Sequence, residues 1–471
     1  MSAATSPAGG RPPAAIAAPS RAATPMAGAS APPAATGEAP DLAGFRGALL
    51  RLDVRLRLAV EALRGEVAER ARDPFRGLYI SEAHVDRLLA AAPPAEVGER
   101  LLAGSAANVA PRLDRLARSA GLSPFEQETL LICLAPDLDL RYERLYGYLQ
   151  DDVTRRRPTV DLILRLLCPA LEDRVTARAA LGPSGPLLRD GLLTLSDEAA
   201  ANWPLLARPL RVDERIADFL LNSDRPDPRI ESVCELYPAP PEGQEADVVA
   251  LPSDVRDGLI RLLRGATNRG GEAAKGRGAG PAGRGPILYL HGGPGTSKLA
   301  TARAVCGLAG RRLLVLDLAA LLTGGKPPAT ILPLVIREAR LQDGALCIDG
   351  FDRLLADEPE TVATRAHHRR LLAGNPAAPQ PVILLGEARW EPATWLPEAT
   401  TIRIELPTPG PGARLQVWRS LLDGQVPAED VAALATQFRM DGEAVRAVVA
   451  AAHGRAAWRG DGPASPEDFQ A

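Results

Sequence analysis

Apolar and polar positions alternate along this chain with more than one period, and the change of period divides it. From Phe45 onward, Leu49, Leu50, Leu52, Val54, Leu56, Leu58, Val60 and Leu63 recur among arginines, which predicts one long helix ending near Asp73-Pro74. A second helix is expected over residues 81–91. In "GLSPFEQETLLICLAP", Ser123 is placed to cap a helix, Pro124 fits its first position and Glu126 completes a capping box. That helix is expected to stop near Pro136. Thr159 caps a further helix, "VDLILRLLC", and residues 187–195 and 205–212 read as two short strands around a turn. Helices followed by a small hairpin predict a winged-helix-like region.

Beyond residue 286 the pattern changes. The short apolar runs "ILYL", "RLLVLDL", "ALCID" and "PVILLG" are divided by helical patterns at residues 298–308 and 331–341. That alternation predicts a parallel sheet wound with helices, an α/β fold. From Pro407 the pattern is wholly helical: "ARLQVWRSLL", "AEDVAALATQF" and "GEAVRAVVAAA" make a small lid.

Composition sets the limits. Residues 1–40 hold 15 Ala, 8 Pro and three charged side chains, too little apolar surface to offset ordering entropy, so a disordered tail is expected. The glycine-rich stretch "GATNRGGEAAKGRGAGPAGRGP" has no aliphatic side chain larger than alanine and reads as a linker. The resulting division is a tail over 1–43, N-terminal helices over 44–98 and the winged-helix-like region over 99–250. A linker over 251–286, the α/β body over 287–406, the lid over 407–460 and a tail over 461–471 complete it. A net charge of −3, from 55 basic and 58 acidic side chains, offers nucleic acid or an anionic membrane no global attraction. Five scattered cysteines form no C-x-x-C pair, which argues against a zinc site or disulfide framework. No apolar run is long enough to span a membrane, and a cytoplasmic protein is expected.

The chemistry concentrates in "LYLHGGPGTSKLA". A phosphate loop leaves a strand through a tight glycine turn and enters a helix, so that backbone N–H groups and the helix N-terminus face the phosphates. The pattern G-x-x-x-x-G-K-[ST] falls on Gly292, then Gly293, Pro294, Gly295 and Thr296, then Ser297, Lys298 and Leu299. Lysine is present, but serine fills the last glycine slot and leucine the hydroxyl slot that would ligate magnesium. Thr301 is turned about 200° round the helix and is no substitute. In "ALCIDGFDRLL" an apolar strand ends in Asp349, followed by Gly350 where an active enzyme has a glutamate base; losing general-base chemistry costs a factor of about 10²–10⁴.

Taken together, "HGGPGTSK", "IDGFD", "PVILLGEARW" and "IELPTPGPGARLQVWRSLL" resemble an AAA-family ATPase module over residues 251–460. Further stretches, "LSPFEQETLLICLAPDLDLRYERLYGYLQDDVTRRRPTVDLILRLL", "ARPLRVDERIADFLL" and "REARLQDGALCIDGFD", resemble the bacterial ATPases with a variant winged-helix N-terminal region. Those are encoded with phage-tail-like contractile injection systems. The resemblance implies a P-loop (AAA) parallel sheet with a helical lid and ATP as the nucleotide. It places Lys298 on the phosphates and Asp349 in a magnesium shell. Glu387 falls in the sensor slot, where the family has asparagine or threonine, and Arg446 is the candidate phosphate-sensing arginine of the lid. The arginine that reaches a neighbour's nucleotide is missing; Arg403 lies inside an expected strand. No aromatic residue stands between Tyr289 and Phe351, so Leu321, Leu322 or Lys326 would have to grip any threaded polypeptide.

Leu299, Gly350, Glu387 and the absent finger arginine all bear on hydrolysis, while Lys298 and the loop amides bear on binding. The favoured reading is a nucleotide-binding, weakly or non-hydrolysing module that assembles or remodels a protein complex. Its partner would engage the N-terminal region, and a homo-oligomer is compatible with it. One alternative is an active ATPase whose base is relocated to Glu387, or less directly to Asp352. The other is a nucleotide-gated winged-helix regulator, for which Arg155 to Arg157 would touch DNA; a local ion-pair cluster is the plainer reading of that run. His367 and His368 have no partner at metal-ligand spacing, and His291 reads as a strand terminator.

Overall fold

The structure, a computed structural model, describes residues 42–70, 82–90, 111–195, 202–239, 251–272, 286–293, 296–355, 380–391, 401–407, 410–422, 426–438, 440, 442–460 and 466–469. The expected tail over 1–41 therefore lies outside the described residues. Helix α1 (Leu42–Arg70) buries Phe45, Ala48, Leu52, Leu56 and Val60, a three-to-four spacing that makes one apolar stripe. The stripe packs into the same core as α2 (Glu82–Leu89), α3 (Pro111–Ala120), α4 (Pro124–Leu138), α5 (Arg141–Leu149) and α6 (Val160–Leu167). Buried Asp53 on α1 adds a polar anchor, accepting from Arg141 at 2.8 Å and from the Tyr142 hydroxyl at 3.0 Å.

The expected capping box is present: Ser123 accepts from the Glu126 amide, and the Glu126 carboxylate accepts from the Ser123 amide. Helix α4 nevertheless runs past Pro136 to Leu138. Pro136 has no N–H to offer the carbonyl of Ile132, and the buried Tyr146 hydroxyl donates to that carbonyl instead, at 2.8 Å. Thr159 caps α6 through the Leu162 amide. Then come α7 (Leu171–Ala177) and α8 (Pro186–Arg189).

The two strands expected over 187–195 and 205–212 are shorter than the apolar runs. Only β1 (Leu193–Leu195) and β2 (Leu210–Val212) pair, antiparallel. Prolines explain the rest: Pro186 opens α8 and Pro204 precedes a 3-10 turn at Leu205–Ala207, each with a φ preset for a turn.

After α9 (Glu214–Leu220) the chain enters a six-stranded sheet of order β3-β5-β6-β7-β4-β8. Its members are β3 (Cys234–Tyr237), β4 (Ile287–His291), β5 (Leu313–Asp317), β6 (Ala345–Asp349), β7 (Val382–Gly386) and β8 (Thr401–Glu405). The last five are mutually parallel, with helices α11 (Lys298–Leu308), α12 (Leu318–Thr323) and α13 (Pro328–Leu341) in the crossovers. The expected parallel sheet wound with helices is present, with one antiparallel strand added at its edge.

Two elements depart from the expectation. Strand β3, inside the stretch assigned to the winged-helix-like region, pairs antiparallel with β5 and becomes the sheet's edge. Helix α10 (Ser253–Glu272) occupies the first part of the stretch read as a linker. Its Leu259 and Leu263 are buried with Leu288, Val305 and Cys347, and that packing outweighs the glycines at its end. Residues 273–285 lie outside the described residues.

Helix α13 joins the sheet to the winged-helix region. Arg215 of α9 donates from two nitrogens to Glu338, each at 2.8 Å, and both side chains are wholly buried. Beside them Arg337 pairs with Asp213 at 3.1 Å and Asp227 at 2.9 Å, and donates to the Gly191 carbonyl. Gln342 donates to the Asp224 carbonyl, and Arg115 to that of Leu341.

The helical lid comprises α14 (Pro411–Leu422), α15 (Ala428–Gln437) and α16 (Gly442–Arg459) around buried Trp418. The stretch expected to be a tail returns to it. Phe469, in a short turn at Pro466–Phe469, is buried edge-on to Trp418, and Asp468 takes Arg459 bidentately. The tail reading missed this because four residues carry no period.

Glu338→Ala strands the buried Arg215 charge and is expected to lower unfolding free energy by about 3–5 kcal/mol, read from urea midpoints. The same junction should weaken in acid. Burial pushes the Asp227 carboxyl up, but the hydrogen bonds from Arg229 and the charges of Arg229 and Arg337 hold it below its ordinary value. Its contribution is therefore present above about pH 4 and lost as pH falls below it. Urea midpoints should drop more steeply between about pH 5 and about pH 3 for wild type than for Arg337→Ala.

Candidate functional site

Strand β4 lies between β7 and β8 and ends at His291. His291 is buried and stacked on Tyr289, and burial holds its imidazole below the ordinary value, so at neutral pH it brings no charge to the loop. The chain then turns through Gly292. A Cβ there would stand 2.7 Å from the Leu406 carbonyl oxygen and 3.0 Å from Thr296, so only glycine fits. Gly293 is exposed, and Pro294 and Gly295 lie outside the described residues. Buried Thr296 donates to the Gly293 carbonyl at 2.9 Å. Lys298 opens α11, and its Nζ donates to the carbonyls of Gly292 at 3.0 Å and Gly293 at 3.3 Å.

Two substituted slots acquire a structure. Ser297 holds a left-handed backbone, φ 52° and ψ 41°, the conformation for which glycine would be used. Its hydroxyl accepts from the amide of Gly442, the first residue of α16. Arg446, half-buried, stands one helical turn further along α16. Leu299 packs against the core shared by α10, α11 and the sheet, so the position that would ligate magnesium is apolar. Thr301 is buried.

Strands β5 and β6 end together, with Asp317 registered against Asp349. Asp349 is half-buried, and burial raises its carboxyl. The Gly350 amide opposes that rise, Asp317 adds to it and Lys298 opposes it. Gly350 is itself left-handed, φ 71° and ψ 32°. A glutamate cannot simply be restored there, because a side chain in this conformation costs roughly 1–2 kcal/mol.

Glu387 follows β7, between the ends of β4 and β6, and is exposed. Asp352, the second acidic candidate, is engaged otherwise. Its carboxylate accepts from the Glu387 amide, from the Ala388 amide at 3.1 Å and from the Tyr289 hydroxyl at 3.4 Å. It fixes the turn that presents Glu387. Gly386 permits this approach, since a Cβ would overlap the Tyr289 hydroxyl and the Asp352 carboxylate. Tyr289, Phe351 and Trp390 close an aromatic cluster behind the turn, with centroids 5.0–6.3 Å apart. Sequence reading did not single out Tyr289, Gly386 or Trp390 for this turn. "LYLH" and "GEARW" contain them, but their meeting depends on the strand order.

The remaining candidates divide. Arg403 lies on β8 and pairs with Glu391 at 3.0 Å. Leu321 is core, Leu322 is exposed, and Lys326 donates to the Arg229 carbonyl. Arg155 pairs with Asp152 and Arg157 with Asp137, so two arginines of that run sit in local ion pairs. His367 and His368 lie outside the described residues. Cys306 is buried and its thiol pushed up to about 12; burial raises Cys347 as well, so neither supplies a thiolate at neutral pH.

The loop fits a nucleotide phosphate: a glycine-only approach, a helix N-terminus and a lysine amine meet at the end of a central strand. For magnesium the fit is incomplete: Leu299 offers no oxygen at the hydroxyl slot, and Asp349 is the carboxylate at the end of β6. Nor is any helix among the described residues long and apolar enough to cross a membrane.

Comparison with known proteins gives two family matches. Residues 45–234 match the model of a variant winged helix domain, and residues 410–470 that of a contractile injection system ATPase helical domain. No curated protein matches the chain. Similar solved structures include the FIGL-1 AAA domain in complex with ADP, at 17% identity and TM-score 0.37, covering 51% of this chain and 85% of that one. The FIGL-1 AAA domain alone matches at 16% and 0.36, over 52% and 90%. A structure on katanin self-assembly matches at 18% and 0.35, over 48% and 81%.

Gly350→Glu is expected to leave phosphate release from ATP at background and to lower unfolding free energy by about 1–2 kcal/mol. Malachite-green phosphate assays and thermal melts of the same preparation check both parts.

Proposed function

From a chain that joins a variant winged helix domain and a contractile injection system ATPase helical domain to an AAA-type sheet, we infer a nucleotide-binding module that hydrolyses ATP weakly or not at all. One arrangement carries the reading: the Lys298 amine lies across the loop carbonyls, while β6, separated from β4 by β7, ends in Asp349 with the left-handed Gly350 directly after it. Ground-state phosphate contacts come from the loop amides and Lys298, with Arg446 reaching from the lid. Transition-state help would come from a base and a bound metal, and those are the positions held by Gly350 and Leu299.

The module acts in assembling or remodelling a protein complex of the contractile-injection kind. The helical-domain match supports that setting. The partner engages the N-terminal region, whose fold is locked to α13 and through it to the strand bearing Asp349. Several copies of the chain acting together are compatible with this role. Threading of polypeptide is not part of it: no aromatic residue stands between Tyr289 and Phe351, and of the substitutes Leu321 is buried, Lys326 donates to the Arg229 carbonyl and Leu322 alone is an exposed apolar side chain.

A second reading has one observation behind it: Glu387 follows the strand between β4 and β6, where a relocated base would have to stand. It predicts phosphate release that Glu387→Gln abolishes.

Thermal-shift titration of the full chain with ATP and ADP tests both. Nucleotide at 100 times its dissociation constant adds about 2.7 kcal/mol of stability, and omitting magnesium should leave most of that gain. Lys298→Ala should remove it. No shift at millimolar nucleotide overturns the binding reading, and phosphate release lost in Glu387→Gln would promote the second.

A further inference from the structure

Ser297 reads in the sequence as a defect, a serine where a phosphate loop keeps glycine. Its geometry gives it a second role. Among the described residues the other non-glycine positions with positive φ are Asp151, Asn222 and Asp343, types that tolerate the left-handed region. Serine has no such tolerance, and strain of this kind marks positions held for function.

What the side chain does there is visible. The Ser297 hydroxyl accepts from the Gly442 amide at 3.4 Å, across 145 residues of sequence. Gly442 begins the 18-residue α16, and the first amides of a helix have no partner within it. Ser297 therefore satisfies an orphan donor of the lid. Its own carbonyl accepts from the Thr301 amide at 2.9 Å, which begins α11. One residue thus joins the start of the helix behind the phosphate loop to the start of the last lid helix. Glycine would keep the loop shape without the join.

We propose that Ser297 is a positioning residue that tethers the phosphate loop to the helical domain, so that nucleotide arriving at the loop is reported at the start of α16. The reporting half rests on the nucleotide-binding reading above; the tether does not. Nucleotide draws the Lys298 amine off the carbonyls of Gly292 and Gly293, and the backbone that follows, Ser297 included, carries the change to Gly442.

Hydrogen–deuterium exchange on the full chain tests this, using wild type, Ser297→Gly and Ser297→Asn, each with and without ADP. Glycine relieves the left-handed backbone, so folding is not at risk. Asparagine tolerates that backbone and restores an acceptor. Without nucleotide, Ser297→Gly should speed exchange over residues 442–446 by about threefold to tenfold, the range for one neutral hydrogen bond. Ser297→Asn should stay within about twofold of wild type. ADP should slow residues 296–300 in both proteins, and residues 442–446 more in wild type than in Ser297→Gly, where only the Arg446 contact remains. Equal exchange at 442–446 in wild type and Ser297→Gly without nucleotide overturns the tether. Equal slowing of 442–446 by ADP in both overturns the reporting role. If ADP slows neither segment in wild type while the difference without nucleotide persists, the tether stands and the binding reading falls.

Discussion

The buried pair between Arg215 and Glu338 is the interaction on which the rest of this structure leans. Removing two charges from water costs several kcal/mol each, and the geometry offsets this only if every remaining donor and acceptor is used. Here two donor nitrogens of Arg215 reach Glu338, Glu338 also accepts from Gln342, and Arg215 also donates to the Ser223 carbonyl. Such a pair is better at dictating a unique arrangement than at adding net stability. The arrangement it dictates sets the winged helix domain on α13, and β3 then runs straight into the edge of the sheet. The N-terminal region is consequently no free appendage. It and the strand carrying Asp349 belong to one packed body.

Two left-handed residues give the site its character, and they point in opposite directions. Gly350 occupies its left-handed conformation without strain, as glycine does. Ser297 occupies a similar conformation against its preference, and gains a hydrogen bond to the lid. At Gly350 the left-handed backbone carries no side chain; at Ser297 the side chain makes a contact between subdomains.

Much of the fold was legible, for reasons that differ by element. The central strands are buried on both faces, so they read as continuous apolar runs, and "ILYL", "ALCID" and "PVILLG" could hardly be anything else. The capping box at Ser123 is a local agreement among four residues and needs no tertiary partner. Strand β3 was not legible, because "CELY" is four residues with an exposed glutamate and is a strand only beside β5. Helix α10 was hidden by glycines at its C-terminal end, and the turn bearing Phe469 by its brevity. At the site, Lys298, Asp349 and Gly350 were found by spacing. The clamp of Asp352, Tyr289 and Gly386 was not, since its members are as much as 97 residues apart and meet only because β7 lies next to β4.

What the sequence determined by itself is whatever depends on neighbours within a few residues: the periods that make helices and strands, the caps, and the identities in the phosphate-loop and Walker-type slots. Hydrogen-bonding and steric rules at that range act on the chain before it folds. Only the tertiary structure decided what surrounds those slots. The Gly442 amide reaches Ser297, and the Ala388 amide and Tyr289 hydroxyl reach Asp352, from distant segments. A left-handed backbone, a buried carboxylate and an orphan helix amide are properties of surroundings, and the surroundings exist only once the strands have been ordered and the domains docked.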